Sequence, residues 1–253
     1  MAVKIVKVLA ERKNKTIYRD GDRVIKLFEK KHPKSNILNE ALNQARVEEA
    51  TDLNIPKLLE VTKIKEGWAL VSEYVSGTTL SELMEKHPEK EDEYLELFVK
   101  LQLEVLSKRV PLLSRMKDKF SKKLKDTNLI DDATKYELEQ RLDGMKNHAK
   151  LCHGDFNPSN IIITEKGGAY VLDWSHATQG NASGDAARTF LLFSIQGKEE
   201  LADKYLEMFA EKSGIEKTHI RRWIPIVAAT QLTKGIKEEQ EFLSRWINVV
   251  DFG

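Results

Sequence analysis

The sequence predicts an α+β fold in two parts: a five-stranded antiparallel sheet carrying one helix, then a mainly α-helical part holding a short β-hairpin. Three observations predict it. Up to Val75 the chain alternates β-branched and aromatic runs with turn signals such as Asp20-Gly21. Beyond Thr79 apolar residues recur at helical spacing almost throughout. Inside that helical region, Ile161–Ile163 and Ala169–Leu172 are separated by Thr-Glu-Lys-Gly-Gly, a hairpin pattern.

Composition narrows the class. With 253 residues the chain has room for one large domain or two lobes, each with its own core. Apolar residues make up 41% and charged residues 32%, as in ordinary globular proteins. A formal net charge of +1 supplies no global field to recruit nucleic acid or membrane. The opening MAVKIVKVLA lacks the long apolar core of a signal peptide, and no apolar run reaches membrane-spanning length. Cys152 is the single cysteine, which fits a reducing compartment, so a soluble cytoplasmic protein is expected. Cys152 and His153 are neighbours in an extended segment and point to opposite faces, so a buried, inert thiol is expected rather than a nucleophile with its base.

The elements follow in order. Val3–Leu9, Lys15–Tyr18 and Arg23–Phe28 read as strands, the last two joined by the Asp-Gly turn. Lys26 shares a strand face with Val24 and Phe28, which leaves it either solvated or pointing into a cleft. Residues 35–52 read as a helix with Ser35 as N-cap and Leu38, Ala41, Leu42 and Ala45 on its apolar stripe; Glu40 lies in its first turns. Strands Pro56–Thr62 and Trp68–Tyr74 complete the sheet, and Val75–Thr79 reads as a connector, giving parts at 1–75 and 76–253. Helices follow at 79–108, with Leu95, Phe98, Val99, Gln102, Val105 and Leu106 on one stripe, at 115–125 and at 132–148. The helix at 115–125 is rich in Lys and Arg and reads as a solvated basic face. Further helices span Glu199–Lys212 and Thr218–Leu232, the second kinked at Pro225, and Trp223, Phe242 and Trp246 read as core.

The chemistry concentrates in Leu151–Ser175, which gathers His153, Gly154, Asp155, Asn160 and Asp173 on one loop and one hairpin. Pro158 stiffens the turn between Asp155 and Asn160. Two carboxylates and an amide oxygen are hard donors suited to Mg²⁺, which takes its remaining ligands from water and substrate phosphates.

His153-Gly154-Asp155 with Asn160 resembles the H-G-D-x-x-x-x-N catalytic loop of the aminoglycoside phosphotransferase family, small-molecule kinases of the protein-kinase-like superfamily. Val171-Leu172-Asp173-Trp174 resembles the family's metal-binding segment, and Gly184–Thr189 its D-x-A-R-T run. Lys26 and Glu40 match its phosphate-anchoring ion pair, and Ser72-Glu73-Tyr74-Val75 its adenine-binding hinge. The resemblance implies a protein-kinase-like two-lobed fold and transfer of the γ-phosphoryl of ATP or GTP to a small-molecule hydroxyl. It implies Asp155 as catalytic base, Asn160 and Asp173 as Mg²⁺ ligands, and Lys26, Glu40, Glu73 and Val75 at the nucleotide, with His153 orienting the loop. The acceptor would be an aminoglycoside, choline, an amino-alcohol or a sugar.

Departures from the family pattern are visible too. The segment Ala10–Lys15 stands where a glycine-rich loop is expected and holds no glycine, leaving Arg12, Lys13 or Lys15 to bring charge instead. Asn181 stands where the family often has an acid, and the terminal Asp251-Phe252-Gly253 resembles a kinase metal motif only by coincidence. A weak or silent nucleotide-binding pseudokinase is therefore one alternative. A protein kinase is the other, although no A-P-E segment follows Asp173.

Overall fold

The structure, a computed structural model, describes residues 7–12 and 14–247. Its elements in chain order begin with β1 (Lys7–Arg12), β2 (Lys15–Asp20), β3 (Arg23–Phe28), α1 (Lys34–Ala50), β4 (Leu58–Lys63), β5 (Trp68–Glu73), β6 (Thr78–Thr79) and α2 (Leu80–Lys86). Next come α3 (Glu91–Ser107), α4 (Met116–Asp126), α5 (Asp132–Gly144), β7 (Lys150–Cys152), β8 (Ile161–Ile163), β9 (Ala169–Val171) and β10 (Thr178–Gly180). The chain closes with α6 (Ala182–Ile195), α7 (Glu199–Ser213), α8 (Lys217–Arg221), α9 (Ile224–Leu232) and α10 (Lys237–Ile247). No described helix is long and apolar enough to cross a membrane.

Two compact units form. One takes the chain to Glu89 together with Pro158–His176; the other takes Lys90–Asn157 and the chain from Ala177 onward. The division expected after Val75 thus differs from the compact units. The reason is local: β6, read from the sequence as connector, pairs with β8, which pairs in turn with β9. Gly77 permits that approach, since a Cβ there would sit 2.3 Å from the Ile163 carbonyl oxygen. Immediately after, Thr79 and Glu82 cap α2 reciprocally, each satisfying the other's backbone amide.

The main sheet of the first unit runs β1-β2-β3-β5-β4, antiparallel throughout, as the alternating runs and turn residues require. Helix α1 packs Ile37 and Ala41 against Phe28 and Leu70. Leu38 and Leu42, expected on its apolar stripe, are instead 41% and 46% exposed. The buried stripe is rotated to Ile37, Glu40, Ala41, Asn43 and Val47, because two of its positions carry polar groups with partners inside the unit. Ser35 is not the cap: the helix follows Pro33 and has no side-chain cap.

In the second unit, all six residues of the expected α3 stripe are buried. Strands β7 and β10 form a two-stranded sheet that the sequence reading missed, being too short to show periodicity. The expected kinked helix at 218–232 is two helices, α8 and α9, and Pro225 lies in the first turn of α9, where a missing N–H leaves no bond unmade. Trp223 is core, 1% exposed, as expected. Residues 3–6 of the expected first strand, and Asp251–Gly253, lie outside the described residues.

Candidate active site

In the first unit a cavity of about 520 Å³ is lined by β2, β3, the Ser72–Val75 segment and the β8–β9 hairpin. Lys26, which strand periodicity alone left ambiguous, points into it and forms an ion pair with Glu40 of α1. Its ammonium is also 3.6 Å from Asp173 Oδ1. Burial alone would lower the Lys26 proton affinity, but the carboxylates of Asp173 and Glu40 outweigh it and raise the group above its ordinary value. Lys15 of β2 completes a set of four, its Nζ donating to Asp173 Oδ2 at 3.4 Å and lying 3.9 Å from Glu40.

Lys15 was named from the sequence only as one of three basic side chains near a glycine-free loop. On either side of that loop Arg12 pairs with Lys15 and Glu11 with Thr16. Regular strand pairing up to the turn is what carries Lys15 over the cavity wall.

Asp173 has φ 58°, the one non-glycine among the described residues in the left-handed region, a conformation that costs about 1–2 kcal/mol. It follows β9, and the amide of the preceding Leu172 donates to the Asn160 carbonyl at 2.8 Å, so the hairpin brings Asn160 and Asp173 to the same cavity. Burial would raise the Asp173 carboxyl, yet Lys26 and Lys15 hold it well below the usual carboxylate range. Its Oδ1 is buried and accepts no hydrogen bond. A buried, ionised oxygen with spare acceptor capacity, at a cavity that Asn160 also lines, fits a hard cation such as Mg²⁺. Among the described residues no group of three or more His, Cys, Asp or Glu could hold a metal.

The Ser72–Val75 segment also lines the cavity. The Glu73 amide donates to the Lys57 carbonyl at 3.0 Å and the Tyr74 amide to the Asp22 carbonyl at 2.8 Å, fixing the segment as it leaves β5. Glu73 and Val75 both line the cavity.

His153–Phe156 belong to the second unit, where α6 holds Gly154, Asp155 and Phe156 in order. Asp185 Oδ1 accepts the Gly154 amide at 2.7 Å, Arg188 Nη2 donates to Asp155 Oδ1 at 3.4 Å, and Thr189 Oγ1 donates to the Phe156 carbonyl at 3.0 Å. Gly154 has φ 78°, a conformation that a side chain would strain. Behind the helix, Gln102 of α3 donates to Asp185 and Thr189 at 3.2 and 3.1 Å and accepts from the Tyr205 hydroxyl at 2.7 Å. Burial pushes the Asp185 carboxyl up in spite of the Gly154 amide it accepts. The sequence flagged Asp185–Thr189 as a motif, but only the structure gives each residue its loop partner. Gln102 was read merely as part of an apolar stripe.

His153 is fully buried, its Nδ1 accepting the Asp155 amide at 3.2 Å. Cys152 is buried and its thiol is pushed well up by desolvation, as an inert thiol should be. Asn181, where an acid was expected, caps α6: its Oδ1 accepts the Ser183 amide at 2.9 Å.

Three lysines feel one another's charge, and two of them, Lys123 and Lys234, also feel that of Arg188. Lys119 and Lys123, one turn apart on α4, are half-buried, while Lys122 and Lys125 of the same helix are exposed. Lys234, after α9, keeps more of its surface open, yet its charge is felt by Arg188, Asp155, Lys123 and Glu239. All three ammonium groups are lowered to about 8, by burial first, then by Lys234 at Lys119, by Lys119 and Arg188 at Lys123, and by Arg188 and Lys123 at Lys234.

The sequence pattern described as the phosphotransferase enzyme family (APH) matches residues 5–220. Among solved structures, a ternary complex of a thermostable mutant of aminoglycoside phosphotransferase APH(4)-Ia with AMP-PNP and hygromycin B superposes with a TM-score of 0.70 at 16% identity, over 95% of this chain and 89% of that one. The GDP and kanamycin complex of APH(2")-IIIa gives 0.60 at 16% identity, over 97% and 92%. An aminoglycoside-3'-phosphotransferase of type VIII gives 0.66 at 14% identity, over 90% and 93%. These likenesses show a shared protein-kinase-like fold. No curated protein sequence is significantly similar to the chain.

Proposed function

The chain belongs to the phosphotransferase enzyme family, and from that premise we propose that it moves the γ-phosphoryl of ATP or GTP to a hydroxyl of a small molecule. The observation that carries this reading is the charge set of Lys15, Lys26, Glu40 and Asp173 at the wall of one cavity. Phosphoryl transfer asks little covalent work of a protein; it asks for positioned cations and an oriented nucleophile. Lys26, fixed by Glu40, meets the phosphates, and Lys15 supplies from a side chain the positive charge that backbone amides of a glycine-rich loop would otherwise give. The Glu73–Val75 backbone holds the base. Asn160 and Asp173 would hold Mg²⁺, which would supply neutralisation of phosphate charge. Asp155 accepts the acceptor's hydroxyl proton, its carboxylate kept in place by Arg188 and by the grip of α6 on either neighbour.

Structures of family relatives with AMP-PNP or GDP support a nucleoside triphosphate as donor. Lys15 argues against the pseudokinase alternative, since it replaces the charge the missing glycines left open. The test is Asp155→Asn in a coupled kinase assay with Mg·ATP. Phosphoryl transfer should fall by about 10²-fold or more, as for loss of a general base, with nucleotide binding retained; unchanged turnover refutes the assignment.

A further inference from the structure

We propose that the second unit carries a separate binding site for a small oligophosphate, a compact anion with two or more linked phosphate groups. Its seat is a cavity of about 710 Å³ built from the start of α4, β7, β10 and the segment leading into β7. Every lining residue belongs to the second unit, and none also lines the cavity of the first.

Five of the lining side chains are cations, Arg109, Arg115, Lys117, Lys146 and Lys150, and His148 is a sixth basic group. Among the described residues no Asp or Glu lines the cavity. In a chain of net charge +1 this is a local concentration. The bonds that orient its lysines leave the charge in place. Lys117 Nζ donates to the Asp143 and Met145 carbonyls, each at 3.0 Å, and Lys150 Nζ to the Leu106 carbonyl at 3.4 Å. A carbonyl aims an ammonium without neutralising it. Arg115 and Lys117 also occupy the N-terminal end of α4, which has no side-chain cap and where the peptide dipoles already disfavour cations. The acid of that first turn, Asp118, does not line the cavity.

The wall is firmly built. The Gln179 amide donates to the Ser114 carbonyl at 3.0 Å, and its Nε2 to the Pro111 and Leu113 carbonyls at 2.9 and 2.6 Å. Lys150 pairs with Gly180 across the two short strands, and Asn181 Nδ2 donates to the Lys146 carbonyl at 3.3 Å. Asn181 stands where the family pattern often has an acid, and it lines the cavity as a neutral amide. Like charges gathered around one concavity repel and focus their field into it, and a bound anion relieves the repulsion. A lone phosphate would match one arginine fork and leave the other cations unpaired. A short chain of phosphates spans them, in a volume ordinary for a small-ligand site. A nucleic-acid strand is the poorer fit, because the indole among the lining residues, Trp223, is 1% exposed and offers no face for stacking.

The test titrates tripolyphosphate, inorganic phosphate and a short oligothymidylate into the full chain without metal, with binding read by calorimetry. Tripolyphosphate should bind about tenfold or more tightly than inorganic phosphate. The triple variant Arg109→Gln/Arg115→Gln/Lys146→Gln, at exposed positions, should weaken it about tenfold or more. Asn181→Asp keeps a capping oxygen for α6 but brings a carboxylate to the cavity, and should weaken it about threefold or more. Lys122→Gln/Lys125→Gln, on α4 but outside the cavity, and Lys15→Gln, at the cavity of the first unit, should leave it unchanged. Absent tripolyphosphate binding, equal affinity for inorganic phosphate, or wild-type affinity in the triple variant or in Asn181→Asp each overturns the proposal. So does a loss that follows Lys15 or the Lys122 and Lys125 pair, or an oligothymidylate that binds more tightly than tripolyphosphate and is weakened by the same triple variant.

Discussion

Lys123→Met should make the protein more stable at neutral pH. The Lys123 ammonium falls from an ordinary 10.5 to about 8, through burial first, then Lys119, then Arg188. At 1.36 kcal/mol per pH unit this is about 3 kcal/mol against the charged form. The side chain is half-buried, so solvent screening leaves about a third to a half of that, ~1–2 kcal/mol, as its penalty to the fold at pH 7. Methionine keeps most of the aliphatic stem and removes the charge. Urea unfolding should therefore show a gain of about 1–2 kcal/mol, and thermal unfolding a rise of roughly 2–8 °C. The sign with pH is fixed. The folded-state pKa lies below the unfolded one, so between about 8 and 10.4 the unfolded chain binds the extra proton and wild-type stability rises with pH. The charges acting on Lys123 in that window are those of Lys119 and Arg188, and Lys123 acts in turn on Lys234, which also feels Asp155 and Glu239. The advantage of the variant should thus shrink toward pH 10. A variant less stable than wild type at pH 7, or a gap that widens with pH, would refute the reasoning.

Asp173→Ala should weaken Mg²⁺-dependent nucleotide binding about tenfold or more by calorimetry while Asp251→Ala leaves it intact; the reverse would mean that the wrong aspartate was chosen. Lys15→Ala should raise the KM for Mg·ATP about tenfold, the effect of ~1.4 kcal/mol, and an unchanged KM would return the hairpin to a purely structural role. Thr189→Val leaves the Phe156 carbonyl and Gln102 short of a partner inside a buried network, so it should cost ~1–3 kcal/mol in unfolding free energy. That variant should also lower kcat more than it raises the KM for nucleotide.

The sheet, its helix and the hairpin were legible because each carries an unambiguous period or turn residue, and the α3 stripe was read to the residue. Helix α1 was placed, but its buried face was not: Glu40 and Asn43 occupy core-facing positions that a hydrophobicity pattern rejects. Strands β6, β7 and β10 are too short to leave a pattern, and they bind the hairpin and the loop into their units. Within the candidate site the acidic and amide residues were found through a contiguous motif. The clasp of α6 on the loop, the place of Gln102 behind it and the crowding of Lys119, Lys123 and Lys234 were not, since they join residues far apart in sequence. A lysine-rich helix looks the same in a sequence whether its charges face water or one another.

Four charges of opposite sign meet at the wall of the first unit's cavity. Lys15, Lys26, Glu40 and Asp173 carry two positive and two negative charges and neutralise one another at close range. Such a pocket holds its own counter-ions and gives a stray anion little reason to stay. On the proposed roles, free nucleotide would draw the lysines away and strand Asp173; free metal would take Asp173 and strand the lysines. Stranding a buried charge is expensive in either case. On those roles only metal and nucleotide together would satisfy both halves at once, which would make the site a coincidence detector for the pair.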